Sequence, residues 1–428
     1  MRSIRAAAVG AVTMSLALAA SACGGGSSTG GGDNASPKTL TYWASNQGAS
    51  IEIDKKVLQP ELDKFQKQTG IKVKLEVVPW TDLLNRILTA TTSGQGPDVL
   101  NIGNSWSASL QATGACCPGT RRTSRRSAAR TASSSPRSLH RRPGQGPRRS
   151  AAVLDGVRPL LQQADPRRRR YRQTPDHLGR VGRRRQEDPG EGQAGPRRRG
   201  LQRLGEHPPL FVFAKQHGAG FYTADGKPDF TNAGAVTAVK QYVDLMAKDK
   251  AVPAGNAEYA QNQSVSDFAK GRTAMLLWQS ASANLASQGM SADAYGVAPV
   301  PVQSGTPGSG TQVNSMVAGI NLAVFRNTHN LDGATKFVKF MTSDDEQKIL
   351  NKAYSCIPSV KSAQSDPAFN TPANTVLKNT LATSAAALPQ VADESQFETT
   401  VGTAVKELFA DAAAGRAVTT DSVKAKLL

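Results

Sequence analysis

Tryptophan is the residue type whose positions in this chain suggest chemistry, and that chemistry is ligand binding rather than catalysis. Each of the four tryptophans falls at or just after the end of a predicted strand: Trp43, Trp80, Trp106 and Trp278. An indole ring stacks on the flat apolar face of a ligand, while nearby amides and hydroxyls bond to its polar edge. Loops that combine both kinds of side chain are therefore candidate binding loops.

Two of these loops carry polar residues beside the indole. Asn104 and Ser105 precede Trp106, and Gln279 follows Trp278. We predict that these five residues contact a ligand.

Two other residues at strand ends have structural interpretations. Trp43 fits a core position beneath the first strand at least as well as it fits a ligand contact. Asp98 is interpreted as a structural residue at the start of a strand rather than as a ligand contact.

Catalytic motifs are missing from the sequence, which contains no G-x-S-x-G, no P-loop and no H-E-x-x-H. Three of the five histidines lie within residues 116–208, a segment of unusual composition, and the other two are isolated. We expect no catalytic residue, no metal site and no cofactor. Scattered carboxylates nevertheless leave a secreted carbohydrate-active enzyme open as an alternative.

The elements that position the first candidate loops follow from hydrophobic periodicity. It predicts strands within residues 38–45, 71–80 and 96–104, and helices within residues 53–70 and 81–94. Gly70 should end the first helix, and Thr81 is the expected N-cap of the second. The β-α-β-α-β order implies an α/β fold with parallel strands and a crevice outside their carboxyl ends.

The regular pattern resumes at Leu210. It predicts strands within residues 272–282 and 316–325, and helices within residues 232–249, 264–271, 331–343, 344–353 and 399–415. The C-terminal part of the chain should therefore be mainly helical.

The amino-acid sequences of several segments, and their order along the chain, resemble those of one bacterial family. The segments are PDVLNIGNSW (97–106), GRTAMLLW (271–278), MVAGINLAVF (316–325), FMTSDDEQ (340–347), IPSVKS (357–362) and the ending from Thr403. Outside its first 38 residues and residues 116–208, the chain resembles the extracellular solute-binding proteins of bacterial ABC importers, a family that includes maltose-binding protein.

This resemblance implies a two-lobe, periplasmic-binding-protein-like fold of type II. Such a protein closes over a sugar by a hinge motion and delivers it to ABC permease membrane subunits. The resemblance also places Asn46 and Gln47 among the ligand-facing residues, although a plain turn explains them equally well. We expect a monomer that binds a sugar or oligosaccharide and no nucleic acid.

The N-terminal residues read as an export signal with a lipid anchor. Arg2 and Arg5 precede a short apolar run that is too short for a permanent membrane helix. Cys23 follows small residues, as in the lipobox of bacterial lipoproteins, and a Gly/Ser-rich tether comes after it. We therefore expect lipidation of Cys23 and an extracytoplasmic protein anchored to the outer face of the cell membrane.

Residues 116–208 have an aberrant composition. They contain 24 Arg, no Lys and 7 acidic residues, so they supply +17 of the formal net charge of +19. With Tyr171 as their single aromatic residue, they lack the apolar surface that offsets chain entropy. We expect this arginine-rich segment to be disordered or weakly helical, and we expect one hinge crossing and an early strand and helix of the second lobe to be absent.

A shifted reading frame explains this composition. Residues 160–165, LLQQAD, permit Y-Y-N-K-Q one nucleotide later, and residues 173–188 permit a string that contains T-T-W-D-E-L. Both strings resemble family segments that follow the hinge. Three single-base losses, near residues 115, 140–143 and 208–210, would shift the frame and then restore it. The alternative is a functional basic segment that binds nucleic acid or another polyanion.

These readings together give a domain map. It assigns residues 1–22 to a signal peptide, 23–38 to the lipid-anchored tether, 39–115 to the first part of lobe 1, 116–208 to the frameshifted segment, 209–298 to lobe 2, 299–355 to the return through the hinge to lobe 1, and 356–428 to the C-terminal helical part that completes lobe 2.

Overall fold

The computed structural model describes residues 38–117, 152–156, 158–162, 201–202, 208–259, 262–302 and 312–428. All of these residues belong to one compact unit, Ser36–Leu428. The predicted signal peptide, Cys23, nearly all of the tether and most of the arginine-rich segment lie outside the described residues.

Within the described residues, ten strands form two sheets. The strands are Thr39–Ser45 (β1), Lys72–Val78 (β2), Val99–Gly103 (β3), Ala152–Gly156 (β4), Arg158–Gln162 (β5), Leu201–Gln202 (β6), Met275–Trp278 (β7), Tyr295–Val297 (β8), Ser315–Val324 (β9) and Ala385–Ala387 (β10). The first sheet has the order β10-β9-β3-β1-β2, with β4 also paired to β9, and the second has the order β6-β7-β5-β8. The predicted parallel pairing of β1 with β2 and β3 is confirmed.

Helices cover both faces of the first sheet and build most of the second lobe. They are Ile51–Thr69 (α1), Trp80–Ser93 (α2), Ser107–Ala112 (α3), Pro208–Gln216 (α4), Ala233–Ala247 (α5), Gln263–Ala269 (α6), Ser282–Ser287 (α7), Leu331–Met341 (α8), Asp344–Tyr354 (α9), Lys361–Gln364 (α10), Pro372–Thr383 (α11), Glu394–Gln396 (α12), Gly402–Ala413 (α13) and Thr420–Leu427 (α14). A π-helical turn, Phe397–Val401, joins α12 to α13.

Helix α1 illustrates how local sequence sets these elements. Ser50 caps its first turn by accepting a hydrogen bond from the backbone N–H of Ile53, and Gly70 ends it in the left-handed conformation, as predicted. Leu58, Leu62 and other apolar residues at helical spacing face the sheet and are buried. The helix therefore fixes the loop that leads out of β1.

Helix α2 begins two residues earlier than predicted. Its N-cap is Pro79, which makes no side-chain capping bond, and Trp80 is the first helical residue. Thr81 lies inside the first turn, where its hydroxyl bonds to the Asp82 carboxylate. The prediction of Thr81 as N-cap was wrong because the fixed φ of proline already suits a helix entry.

Separate hydrophobic clusters define two lobes. In the first lobe, α1 and α8 pack on one face of the first sheet, and α2 and α3 pack on the other. In the second lobe, the largest cluster joins α4, α5, α13 and α14. Strand β9 contributes to both lobes, since Met316 and Ala318 belong to the second-lobe cluster while Leu322 packs on the first.

Three short strands come from the arginine-rich segment. Strand β4 pairs antiparallel with β9 of the first sheet, and β5, one residue later in the chain, lies between β7 and β8 of the second sheet. Strand β6 adds to the outer edge of β7. The rest of the segment lies outside the described residues, so the expected disorder and the expected loss of a crossing and of an early second-lobe strand stay predictions.

Within the described ranges, no helix combines the length and apolarity that crossing a membrane requires.

Candidate functional site

A cluster of acidic and aromatic residues lies where the two lobes meet. It consists of Ser105, Trp106, Glu394 and Glu398, and we call it the acidic–aromatic cluster. Ser105 and Trp106 stand in a 3-10 turn directly after β3, while the two glutamates come from α12 and the π-helical turn. The indole Nε1 of Trp106 donates a hydrogen bond of 2.6 Å to Oε1 of Glu398. This hydrogen bond therefore joins a side chain of the first lobe directly to a side chain of the second.

Glu394 is the most deeply buried member of this cluster. Its side chain has no exposed surface, and it lies beside the Ser105 hydroxyl and the Glu398 carboxyl group. Burial raises its pKa to about 8, the negative charge of Glu398 adds to that shift, and the nearby Ser105 hydroxyl opposes it. The cluster thus holds a carboxyl group that is partly protonated near neutral pH.

The loop after β1 is organised by a buried carboxylate. Asp54, in the first turn of α1, accepts hydrogen bonds from the backbone N–H groups of Gln47 and Gly48 and from the side-chain amide of Asn46. The same Asn46 amide nitrogen also donates to the carbonyl oxygen of Gly48. Both hydrogens of this amide are therefore used inside the loop, and Asn46 shapes the turn.

Gln47 reaches a small cavity in the first lobe. Its amide donates to the Ser45 hydroxyl over 2.9 Å, and Asn101 donates to the same hydroxyl over 2.9 Å. Asn101 also accepts a hydrogen bond of 2.8 Å from the Tyr42 hydroxyl. The same cavity is lined by Tyr354 and Cys356 at and after the end of α9. These polar groups stand where the predicted crevice at the ends of β1 and β3 should be.

Asn104 is bonded to strand β9 through both ends of its side-chain amide. Its amide nitrogen donates to the carbonyl oxygen of Val317 over 3.2 Å, and its amide oxygen accepts from the N–H of Gly319 over 3.0 Å. Both polar ends of the side chain are therefore bonded to β9. This geometry favours a positioning role over the predicted ligand contact.

The second-lobe loop after β7 carries two of the predicted contacts, Trp278 and Gln279. Trp278 is half-buried against two hydrophobic clusters of the second lobe, and Gln279 is half-buried beside it. The next residue, Ser280, donates a hydrogen bond of 2.6 Å to the carbonyl oxygen of Ser355 and so links the second lobe to the first.

The remaining tryptophans support the first-lobe core. Trp43 is only 7% exposed, and the Arg86 guanidinium stacks on its ring at 4.2 Å from the centroid. Trp80 packs edge to face against Trp106 with the ring centroids 5.5 Å apart. The structural interpretation of Asp98 is confirmed, since its carboxylate accepts hydrogen bonds from the Thr41 N–H and the Thr328 hydroxyl.

Sequence reasoning missed both glutamates of the cluster. Glu394 and Glu398 are four residues apart, and the buried Phe397 and Val401 repeat the same spacing three residues later. Residues at this spacing share one side of a helix. A pair of acids beside a stripe of apolar residues was the sequence signal for these buried glutamates. We made no prediction from it, because acidic residues on helices usually face water.

Comparison with known proteins identifies the family. A family model described as bacterial extracellular solute-binding protein matches residues 48–115 and 198–348, which is about half of the chain. The diacetylchitobiose binding protein DasA of Streptomyces coelicolor is 32% identical over 113 residues. That match covers 25% of this chain and 25% of the length of DasA.

Solved structures share the fold at low sequence identity. The GacH receptor of Streptomyces glaucescens GLA.O is 19% identical, with a TM-score of 0.69 over 91% of this chain and 96% of that chain. The maltose/maltodextrin-binding domain MalE from Bdellovibrio bacteriovorus, bound to maltotriose, is 17% identical, with a TM-score of 0.70 over 91% and 97%. The predicted two-lobe type II fold is confirmed. The chain belongs to the bacterial extracellular solute-binding protein family.

Proposed function

We propose that this protein binds a sugar or oligosaccharide between its lobes and delivers it to the permease of an ABC importer. The acidic–aromatic cluster carries the proposal, because it combines indole, hydroxyl and carboxyl groups from both lobes at one place. Saccharides are recognised by such combinations of aromatic surface and hydrogen-bonding groups. The chain is a binding protein and not an enzyme, as its family membership shows.

The relatives support a saccharide as the ligand class. DasA is named for diacetylchitobiose, GacH was solved with acarbose, and MalE was solved with maltotriose. A structural neighbour from Thermotoga lettingae was solved with α-D-tagatose, at 18% identity and a TM-score of 0.71 over 91% of this chain and 98% of that chain. We extend the shared chemistry, a ring rich in hydroxyl groups, to this chain.

Lobe closure is the proposed mechanism, and it involves no bond breaking. Among the described residues, the Trp106–Glu398 hydrogen bond and the Ser280–Ser355 hydrogen bond both cross from one lobe to the other. A ligand enters when these contacts open and is enclosed when they re-form. The differential affinity of the ligand for the closed arrangement supplies the driving force.

The predicted ligand contacts are retained in part. Ser105, Trp106 and Gln47 lie at the end of a first-lobe strand, and we propose them as first-lobe contacts. Trp278 and Gln279 are proposed as second-lobe contacts that approach the ligand on closure. Asn46 and Asn104 are proposed as positioning residues because their amides are already bonded within the protein.

We also propose that Cys23 is lipidated and anchors the protein to the outer face of the membrane. The sequence around Cys23 supports this step, and the family is extracellular. Cells that express the full chain should incorporate radiolabelled palmitate into it, and Cys23→Ser should abolish the label and release the protein into the medium. A Cys23→Ser protein that stays labelled and membrane-bound would contradict the anchor.

The arginine-rich segment is proposed to be a frameshifted part of the same gene, which leaves the chain as written defective in binding. The abrupt change in composition supports this proposal, because residues 116–208 contain 24 Arg and no Lys while the rest of the chain is nearly neutral. Sequencing the coding DNA between codons 110 and 212 tests it. Unchanged triplets, together with the same arginine-rich passage in relatives' genes, would contradict it.

Thermal melting with a saccharide panel tests the proposed function. The chain as written and the chain read in the restored frame are melted with maltotriose, cellobiose and diacetylchitobiose. A saccharide at 100 times its Kd should stabilise the protein by about 2.7 kcal/mol. The expected result is a rise in Tm for at least one saccharide with the restored chain. No shift with any saccharide in either chain would contradict the proposed function.

A further inference from the structure

Two acidic side chains meet between helices α1 and α9 of the first lobe. Glu346, in the first turn of α9, has a side chain that is only 1% exposed, and the side chain of Glu61 on α1 is 12% exposed. The ammonium group of Lys64 lies 2.5 Å from the Glu346 carboxyl group and 3.5 Å from that of Glu61. Among the described residues, Glu61 and Lys64 are the charged groups that act on Glu346. One ammonium group therefore serves two carboxyl groups.

One proton balances the charge of this cluster. With both carboxyl groups ionised, the cluster would carry a net charge of −1 at a place that water scarcely reaches. Burial raises the pKa of Glu346 to about 7, Lys64 opposes this rise, and the neighbouring Glu61 adds to it. The packed arrangement is therefore neutral when the two carboxyl groups hold one proton between them.

The other end of α9 reaches the loop after β1 and the second lobe. Helix α9 runs antiparallel to α1, so that Tyr354 in its last turn lies beside Asp54 in the first turn of α1. Asp54 holds the loop that carries Gln47. The carbonyl oxygen of Ser355, directly after α9, accepts the hydrogen bond from Ser280 of the second lobe, and α9 also packs against α7 of that lobe. A shift of α9 at the acid pair is therefore transmitted to the contact between the lobes.

We propose that the Glu61–Glu346 pair is a proton-controlled latch: the shared proton holds α9 against α1, and loss of that proton loosens α9 and weakens the Ser280–Ser355 contact. Loosening lets water reach the ionised Glu346, and an ionised carboxyl group is more stable in water than in a packed interior. Lobe closure, and with it the affinity for a ligand, should therefore weaken from acidic to neutral pH. This inference rests on the proposed function for its effect on binding, whereas the latch itself consists of first-lobe residues.

Proton linkage gives the sign and the pH range. Glu346 binds its proton more tightly in packed α9, where its pKa is about 7, than in loosened α9, where contact with water restores its ordinary value of 4.5. The stabilisation of packed α9 is therefore fully present below about pH 4.5. The fraction of loosened α9 should rise by up to about tenfold per pH unit above that value and level off above about pH 7.

Hydrogen exchange measured by mass spectrometry follows this opening without any ligand. The full chain as written is exchanged at pH 5, 6, 7 and 8, and the rates are corrected for the intrinsic pH dependence of amide exchange. Amides of α9 report on the latch, and amides of α5 report on the second lobe. We expect the protection of α9 to fall by at least about tenfold between pH 5 and pH 7 and to change little between pH 7 and pH 8.

Three variants identify the groups that control the opening. Glu346→Gln keeps the shape of the side chain and cannot ionise, so α9 should stay protected at all four pH values. Glu61→Gln leaves Glu346 paired with Lys64 alone, so the fall in protection should shrink by at least about threefold. Asp345→Asn is the matched control, because Asp345 is an exposed acid in the same turn of α9, and its exchange profile should equal that of the unsubstituted protein. The α5 profile should be the same in all four proteins.

Titration calorimetry at pH 5.5 and pH 7.5 then measures the effect on binding in the restored-frame chain. The probe is whichever of maltotriose, cellobiose and diacetylchitobiose gives the largest rise in Tm. The ratio of Kd at pH 7.5 to Kd at pH 5.5 should be at least about threefold larger for the unsubstituted protein than for Glu346→Gln.

The opposite results overturn the inference and are distinct from failure of the proposed function. Equal α9 profiles for the unsubstituted protein and Glu346→Gln would show that Glu346 does not control the helix. Parallel changes in α9 and α5 would show that Glu346 affects overall stability and that there is no latch. Equal Kd ratios would show that the latch does not regulate binding. If no saccharide binds, the proposed function and its regulation fail, and the exchange profiles alone decide whether the latch exists.

Discussion

The protonation of Glu394 should make the stability of the fold depend on pH. Its pKa is about 8 in the folded protein, against an ordinary value of 4.5, because of burial and the charge of Glu398. The folded state therefore holds a proton that the unfolded chain has lost between these values. The stability contributed by this protonation is fully present below about pH 4.5 and is lost as pH rises through about 8.

Urea unfolding between pH 5 and pH 8 tests this prediction. The free energy of unfolding should fall with rising pH, at up to about 1.4 kcal/mol per pH unit for one proton. Burial also raises the pKa of Glu346, to about 7, so Glu346 adds to the fall in the free energy of unfolding with rising pH. Comparison of the two proteins isolates the contribution of Glu394. The free energy of unfolding of Glu394→Gln should change less with pH than that of the unsubstituted protein. Identical profiles would mean that Glu394 is already ionised throughout this range.

Individual residues could be predicted where chain position alone defines their role. Trp106 follows a strand and carries polar neighbours, and its loop does lie at the boundary between lobes. Asn104 belongs to the same loop, yet its amide turns back onto β9, 213 residues later in the chain. A side chain that bonds to so distant a segment cannot be assigned from local sequence.

The 3-10 turn after β3 depends on Asn104 for its attachment to β9. Asn104→Ala removes two hydrogen bonds and leaves the Val317 carbonyl and the Gly319 N–H without this partner. We expect a loss of about 1–3 kcal/mol in the free energy of unfolding, measured by urea denaturation. Asn85→Ala, at an exposed site on α2, is the control and should change stability by less than about 0.5 kcal/mol. Unchanged stability with abolished ligand binding would instead make Asn104 a direct contact.

Elements were predictable wherever periodicity and capping agree. Helix α1 has Leu58, Leu62 and Phe65 on one face and Gly70 at its end, so both its type and its limit followed from the sequence. The strands within residues 152–162 could not be foreseen, because few of their residues favour a sheet by themselves. Their pairing depends on β7, β8 and β9, which arrive more than a hundred residues later.

At the scale of the whole molecule, restoring the reading frame should enlarge the cooperatively folded unit. The restored strings replace the four arginines within residues 173–188 by other residues, and they permit two tyrosines and a tryptophan at leucine positions. More apolar surface would then be buried on folding, and the urea m-value scales with that surface. We expect a larger m-value and one transition for the restored chain. Equal m-values for both chains would show that the segment adds nothing to the fold.

The two-lobe architecture was predictable only through the resemblance to the solute-binding family, because no local sequence pattern shows which distant segments pack into the same hydrophobic core. The helices at the C-terminus pack with α4 and α5, nearly two hundred residues earlier, in the largest hydrophobic cluster. The domain limits within this arrangement remain predictions.

Strand β9 has a mechanical consequence. Its first residues pack in one lobe and its later residues in the other, and it has hydrogen-bonded neighbours along its length. A strand held in this way twists less freely than a loop. Any rotation of one lobe against the other therefore twists β9. The twisted strand is strained, and relief of that strain favours return to the starting angle between the lobes.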